Sequence, residues 1–471
     1  MKKIFSLFLM IFAGFILVSC NNSTPTESTT EPEKNEIITA QEEIPYLLNN
    51  EGNINIDIKY DSDDFSDSSY NYSKNLSNLS FVMSRFVKDV ETVNKFFTTL
   101  KFDEIKTSPN YGKEDDYLSI SYTIAKKKLK KDTDLIALSI RGLLYTKEWG
   151  NNFNIGLDSH HKGYDIVSDK IKLVLLEYLK DKTNYKLWVT GYSKGGALAD
   201  LLTVKLDNDI DDNKLNLKKE DIYTYTFEAP ASTAKTDKEY KNIHNLVNKN
   251  DLIAGAVYEK YGLIRPGNEY NFEGDYANII NNSGTKLKVD EFSVYEIDIF
   301  SQEKFKKKDV NITLNEFNKL LLHALFETTG NEKFSLETRE KYVKNLQPAL
   351  IYLFEKLYEA VYNQIDVIKK YVEKKGIMSL AGAIFGDENS LYPILSELFT
   401  ELKIEYKEAE LKEYSIMVKR FLTYLLGVKE IYNDITLTAF EIIGTAYKNA
   451  GIFMTMHDPD VTYILLKEYN K

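Results

Sequence analysis

The stretch YKLWVTGYSKGGALADLLTVKL, Tyr185 to Leu206, changes period in its middle. Residues 185–190 are a short apolar run of strand type, whereas 197–206 repeat their apolar side chains at helical spacing. Between them lie Gly191-Tyr192-Ser193-Lys194-Gly195-Gly196, which contain the spacing G-x-S-x-G. A strand that turns at once into a helix has no room for side chains flanking its central residue, so glycine is needed there. Such a strained turn presents Oγ of Ser193 to a cleft as a candidate nucleophile. It also aims the first helical amides at the same point, making the backbone N–H of Lys194 a candidate oxyanion donor, helped by the helix dipole. The plainer alternative is a glycine-rich turn carrying a solvent-exposed serine.

Outward from this turn, the pattern alternates. Leu135–Ile140 is a short apolar run that ends in Arg141-Gly142, Asp165–Leu179 is helical in period, and Ile222–Phe227 is β-branched and aromatic. Strand and helix signals in alternation predict an α/β fold with a mostly parallel sheet flanked by helices. Upstream, Ile54, Ile56, Ile58 and Tyr60 alternate like a strand, and Phe81, Val82, Phe86, Val90, Val93 and Phe97 fall at helical spacing. Whether this section belongs to the core is left open. Downstream, Thr313 opens a T-x-x-E capping box with Glu316, and the chain reads as mainly helical to about Ala450. Apolar stripes such as Leu350, Leu353, Phe354, Leu357 and Val361 fit a bundle packing on itself and on the sheet. The alternative is that part of this layer forms a lid over Ser193.

The sequence opens with Lys2 and Lys3, an apolar run from Ile4 to Val18, and then Leu17-Val18-Ser19-Cys20, the layout of a signal peptide. The run is shorter than the roughly 20 residues that span a bilayer. It resembles a bacterial lipobox, and that resemblance implies acylation of Cys20, which would hold the protein to the cell membrane or envelope, facing outside the cytoplasm. Asn21–Glu43 is rich in Ser, Thr, Pro and Glu and reads as a flexible tether. The expected organisation is therefore 1–19 signal peptide, 20–43 tether, 44–305 α/β core, 306–450 helical insertion and 451–471 a C-terminal segment. Across all 471 residues the net charge is −11, which disfavours nucleic acid as a partner. One cysteine excludes an intrachain disulfide, and five scattered histidines show no metal-ligand spacing, so neither metal nor cofactor is expected.

The blocks SIRGLLYTKEWGNNFNIG, HKGYDIVSDKI, YKLWVTGYSKGGALADLLTVKL, YTYTFEAPAST, IHNLVNKNDLIAGA and YGLIRPG, in this order over about residues 134–267, resemble those of class 3 (fungal-type) lipases. The resemblance implies an α/β-hydrolase fold and acyl-ester hydrolysis. By position Ser193 matches the nucleophile, Asp251 the acid of a triad, and Arg141-Gly142-Leu143 the oxyanion loop, while His161 matches a histidine that is usually structural. The chain departs from the family pattern at Tyr192, where His is usual, at Lys194, where Leu or Arg is usual, and at Leu143, where Thr usually supplies a hydroxyl. Only the backbone N–H of Leu143 remains as a donor.

A serine nucleophile needs an imidazole to take its proton and a carboxylate to hold that imidazole. His160 and His161 precede a helix, His244 lies in the strand before Asp251, and His323 sits mid-helix on an apolar face. His457, in MTMHDPDVTY, gives the order Ser, Asp, His and precedes a loop-like segment. Asp251 also suits an Asx turn, and Asp458 is a competing acid. About two hundred residues separate Asp251 from His457, more than in compact lipases, so the helical insertion has to fill the gap. The expected function is a serine esterase or lipase acting on acyl-glycerol or phospholipid-type esters, or on small esters, through an acyl-enzyme. The alternative is a surface-binding lipoprotein that keeps the hydrolase scaffold with weak or no turnover.

Overall fold

The computed structural model describes residues 35–47, 52–113, 118, 120–130, 132–142, 151–156, 160–255, 262–272, 274–298, 305–327, 344, 346–376, 379, 382–383, 386–427, 430–432 and 435–471. Cys20 and Leu143 lie outside them. In chain order the first elements are β1 (Ile37–Pro45), β2 (Asn53–Asp61), α1 (Lys74–Phe86), α2 (Val90–Thr99), β3 (Glu104–Thr107), β4 (Tyr122–Lys128) and β5 (Asp134–Ile140). Next come α3 (Lys162–Leu179), β6 (Tyr185–Tyr192), α4 (Lys194–Asp211), β7 (Ile222–Phe227), β8 (Thr233–Ala234) and β9 (Ile243–Asn248). Then follow α5 (Leu252–Gly255), β10 (Leu263–Ile264), β11 (Asn268–Phe272), α6 (Tyr276–Asn281), β12 (Val294–Ile297) and β13 (Phe305–Lys308).

Seven strands make one sheet in the order β11-β9-β7-β6-β5-β4-β3. The five strands from β11 to β5 run parallel, and β4 and β3 are antiparallel at one edge. The connections account for both halves: α3 and α4 are crossovers between parallel neighbours, whereas residues 129–133 are too few for anything but an antiparallel return. β7 and β9 are buried along their whole length, as strands of a sheet covered on both faces must be. Residues on β5 and β6 divide by alternation. Ile136, Leu138, Leu187 and Val189 meet α3 and α4 on one face. Leu135, Ala137, Trp188 and Tyr192 meet the other core, which contains Phe81, Val82 and Phe86 of α1. Trp188 Nε1 donates to Ser80 Oγ at 2.7 Å and fastens α1 to the sheet. The N-terminal section is thus part of the core.

The tether expected through Glu43 ends earlier, because β1 begins at Ile37 and pairs along its length with β2. Ile38, Ala40 and Ile44 pack against the core, and pairing satisfies a backbone that composition alone marks as unstructured. β2 has the expected alternation, with Ile54, Ile56, Ile58 and Tyr60 buried. The boundary expected between 305 and 306 is also displaced: it falls inside the hairpin of β12 with β13.

The remaining chain forms α7 (Leu314–Glu327), α8 (Gln347–Asn363), α9 (Ile365–Lys375), α10 (Tyr392–Glu401), α11 (Glu408–Gly427), β14 (Glu430–Tyr432), β15 (Ile435–Leu437), α12 (Ala439–Lys448), α13 (Ala450–Met456) and α14 (Pro459–Tyr469). The capping box forms, with the Thr313 amide donating to Glu316 Oε2 at 2.8 Å and the Glu316 amide to Thr313 Oγ1 at 3.2 Å. A two-stranded hairpin, β14 with β15, interrupts the stretch expected to be helical. Among the described residues no helix is long and apolar enough to cross a membrane. α14 returns to the sheet beside α1, where the buried Arg85 and Asp460 pair at 2.7 Å. Arg85 also donates to the Pro45 carbonyl and Asp460 accepts from the Leu47 amide, so one ion pair joins β1, α1 and α14.

Candidate active site

Ser193 stands alone between β6 and α4, with φ 53° and ψ −124°. This left-handed region is strained for a side-chain-bearing residue. Its amide donates to the Phe227 carbonyl at 2.8 Å, which ties the turn to β7. A Cβ on Gly191 would lie 2.2 Å from the backbone of Gly195, and one on Gly195 would lie 2.3 Å from the Ile140 carbonyl oxygen. Both glycines are therefore dictated by close backbone approach. Gly142 has the same constraint, since its Cβ would come within 1.8 Å of the Tyr192 carbonyl oxygen. The start of the expected oxyanion loop is thereby laid against the turn, although Leu143 itself is outside the described residues. Lys194 opens α4, an 18-residue helix whose positive end points to the serine.

His457 occupies the junction between α13 and α14. Its Nε2 is 2.9 Å from Ser193 Oγ, and its Nδ1 is 2.6 Å from Asp251 Oδ2. Asp251 follows β9 and is fully buried, while the His457 side chain keeps 17% exposure. The other carboxylate oxygen of Asp251 accepts from the Ile253 amide at 2.7 Å. The Asx-type turn and the contact with histidine are thus both present, one on each oxygen. Asp458 does not compete for the imidazole: it caps α14 by accepting from the Asp460 amide at 2.8 Å. Burial, together with the charge of Asp460, pushes its carboxyl up to about 7.

Sequence reasoning missed the layer behind these three residues. The Tyr192 hydroxyl is 3.0 Å from the His457 carbonyl oxygen and 3.0 Å from Thr462 Oγ1. Asn248 Nδ2 donates to the Met456 carbonyl at 3.1 Å. Glu228, directly after β7, is buried and hydrogen-bonded to Asn248 and Thr462. The one available signal was a glutamate directly after a β-branched and aromatic strand.

The remaining histidines serve elsewhere. His161 caps α3 and stacks on Tyr164 at 3.9 Å between ring centroids. His160 Nδ1 accepts from the Ala234 amide. His244 Nε2 is 2.8 Å from the Ser69 carbonyl oxygen, and burial lowers its pKa. His323 lies in α7.

A mostly parallel sheet with a serine at a strand-to-helix turn, bonded through an imidazole to a carboxylate after a later strand, defines the α/β-hydrolase fold. Residues 137–260 match the family model described as lipase (class 3). No curated protein matches the sequence. Among solved structures, a triacylglycerol lipase with a serine-protease triad shares 19% identity, with 43% of this chain and 82% of that one covered at a TM-score of 0.34. A Rhizomucor miehei lipase propeptide complex shares 17% identity over 42% and 67% of the two chains, TM-score 0.32. For a lipase from Rhizopus microsporus var. chinensis the values are 17%, 43%, 75% and 0.31.

Proposed function

We propose that this chain is a serine esterase or lipase that hydrolyses acyl-glycerol or phospholipid-type carboxylic esters through an acyl-enzyme on Ser193. The reading is carried by the continuous hydrogen-bonded path from Ser193 Oγ through His457 to Asp251 at a strained strand-to-helix turn. In the acylation step Nε2 of His457 takes the proton as Oγ attacks the ester carbonyl, and Asp251 stabilises the imidazolium. The oxyanion forms at the positive end of α4, where the backbone N–H of Lys194 is one donor, and the family resemblance implies the backbone N–H of Leu143 as the other. His457 then protonates the departing alcohol, and water, deprotonated by the same imidazole, releases the acid. A lipid anchor on Cys20 would keep the enzyme at a membrane surface where such esters are concentrated.

A fluorophosphonate probe should label the wild-type chain at Ser193. Ser193→Ala should abolish labelling and lower ester hydrolysis by at least about a thousandfold. An unlabelled wild type would favour the second reading, a binding lipoprotein on a hydrolase scaffold, for which the apolar Leu143 in the oxyanion segment is the supporting observation.

A further inference from the structure

One buried carboxyl beside the triad has no part in the steps above. Glu228 has φ 49°, a conformation unfavourable for any residue but glycine, and its side chain is fully buried. Oε1 and Oε2 lie 3.1 and 3.0 Å from the amide nitrogen of Asn248, at the entry to the turn that carries Asp251. Thr462 Oγ1, on the helix after His457, donates to Oε1 at 3.3 Å. The buried Asp251 lies close enough for its charge to act on the Glu228 carboxyl. On the backbone, the Ser193 amide donates to the Phe227 carbonyl, and the Glu228 amide to the Leu246 carbonyl. This one residue therefore touches the turn of the acid and the helix that follows the base, and its backbone adjoins the turn of the nucleophile.

Two neighbouring carboxyls buried away from water do not both ionise, so one of them keeps a proton. The donors decide which. Asp251 receives the Ile253 amide on Oδ1 and faces Nδ1 of His457 with Oδ2, a setting that suits an anion. Glu228 has one amide shared between its two oxygens and one long hydroxyl contact, a poorer setting for charge. The titratable groups around the pair are Tyr192 from the nucleophile turn and His457 and Asp458 from the C-terminal segment, with Arg85 and Asp460 beyond Asp458. Burial and the neighbouring Asp251 charge push the Glu228 carboxyl far above the usual carboxylate range.

We infer that Glu228 is a positioning residue of the hydrolytic site: a neutral carboxyl that leaves Asp251 as the single negative charge facing His457 while it holds the Asp251 turn against α14. The inference rests on the acyl-enzyme reading above. It is tested with wild type, Glu228→Gln and Glu228→Ala as full chains, by following hydrolysis of a soluble short-chain p-nitrophenyl ester from about pH 5 to 9 together with fluorophosphonate labelling. Glu228→Ala should lose about tenfold or more in kcat/KM, mostly in kcat. Glu228→Gln, neutral and still a donor, should recover activity to within about threefold, with the acid limb of its pH profile displaced by less than about 0.3 unit. An acid limb moved down by about one unit in Glu228→Gln would mean that the wild-type glutamate is charged, and the inference falls. It falls equally if Glu228→Ala folds and keeps wild-type kcat; if that variant does not fold, the glutamine profile decides. A wild type that is not labelled sinks the acyl-enzyme reading and this inference together, whereas a labelled wild type with a displaced glutamine profile sinks only the role of Glu228.

Discussion

Tyr192 shows how one substitution from the class 3 lipase pattern can serve the site. Its ring centroid is 5.5 Å from that of His457, and its hydroxyl reaches the His457 carbonyl rather than the reacting atoms. A histidine side chain is too short to reach so far from the same backbone position. Tyr192→Phe should leave the fold intact and lose about 0.5–1.5 kcal/mol of stability, the usual net worth of one hydrogen bond. On the proposed mechanism the lost bond holds the backbone of the base, so ester hydrolysis should fall about three- to tenfold in kcat with KM little changed. An unaltered kcat would show that Asn248 alone suffices to hold the segment. At this scale the meeting of Ser193, Asp251 and His457 was legible, since chemistry limits which side chains can be expected to form a triad and in which order they can come. Glu228, Thr462 and Tyr192 were not, because their roles depend on which segments meet across the sheet, and no local pattern encodes that.

Between α4 and β9 a second buried carboxyl sets a pH dependence. Asp207 Oδ1 accepts from Asn242 Nδ2 at 3.0 Å, while Asp207 Oδ2 and Asn242 Oδ1, both buried, have no hydrogen-bond partner. A proton on Asp207 supplies the missing donor. Burial, the largest influence, pushes this carboxyl from 3.8 to about 7. The folded chain therefore binds more protons than the unfolded one between these values. Stability from this group is complete below about pH 3.8 and is lost as the pH rises through about 7. Asp207→Asn, which forms an amide pair without a proton, should raise the unfolding temperature relative to wild type at about pH 8 and lose that advantage at about pH 5. The same difference at both values would show that Asp207 is ionised throughout. Elements with strong periodicity were readable: the strand and helix either side of Ser193 fall where their spacing puts them, although α4 runs on to Asp211 through polar residues. β1 escaped notice because its stability comes from pairing with β2 rather than from its own composition.

For the whole molecule, both N- and C-terminal segments cover the sheet face that carries α1. The Asp57 amide donates to the Tyr463 hydroxyl at 2.9 Å, and the Arg85–Asp460 pair lies beside it in the same layer. A mostly parallel sheet flanked by helices was foreseeable from alternation, whereas this layer was not, since a short amphipathic segment does not reveal which surface it will cover. The proposed anchor belongs to this scale too. In a bacterial host the mature chain should partition into the detergent phase and carry acyl groups on Cys20 by mass spectrometry, whereas Cys20→Ser should move to the aqueous phase. A wild-type chain recovered wholly in the aqueous phase would remove the anchor from the proposal.

The imidazole is synthesised 264 residues after the hydroxyl it serves. On the proposed mechanism a nascent or partly folded molecule would hold a nucleophile without its base, and reactivity would begin only when two distant segments have met, a slow kind of event in folding. Turnover would thus count molecules whose long-range assembly is finished, which helix content measured by circular dichroism does not.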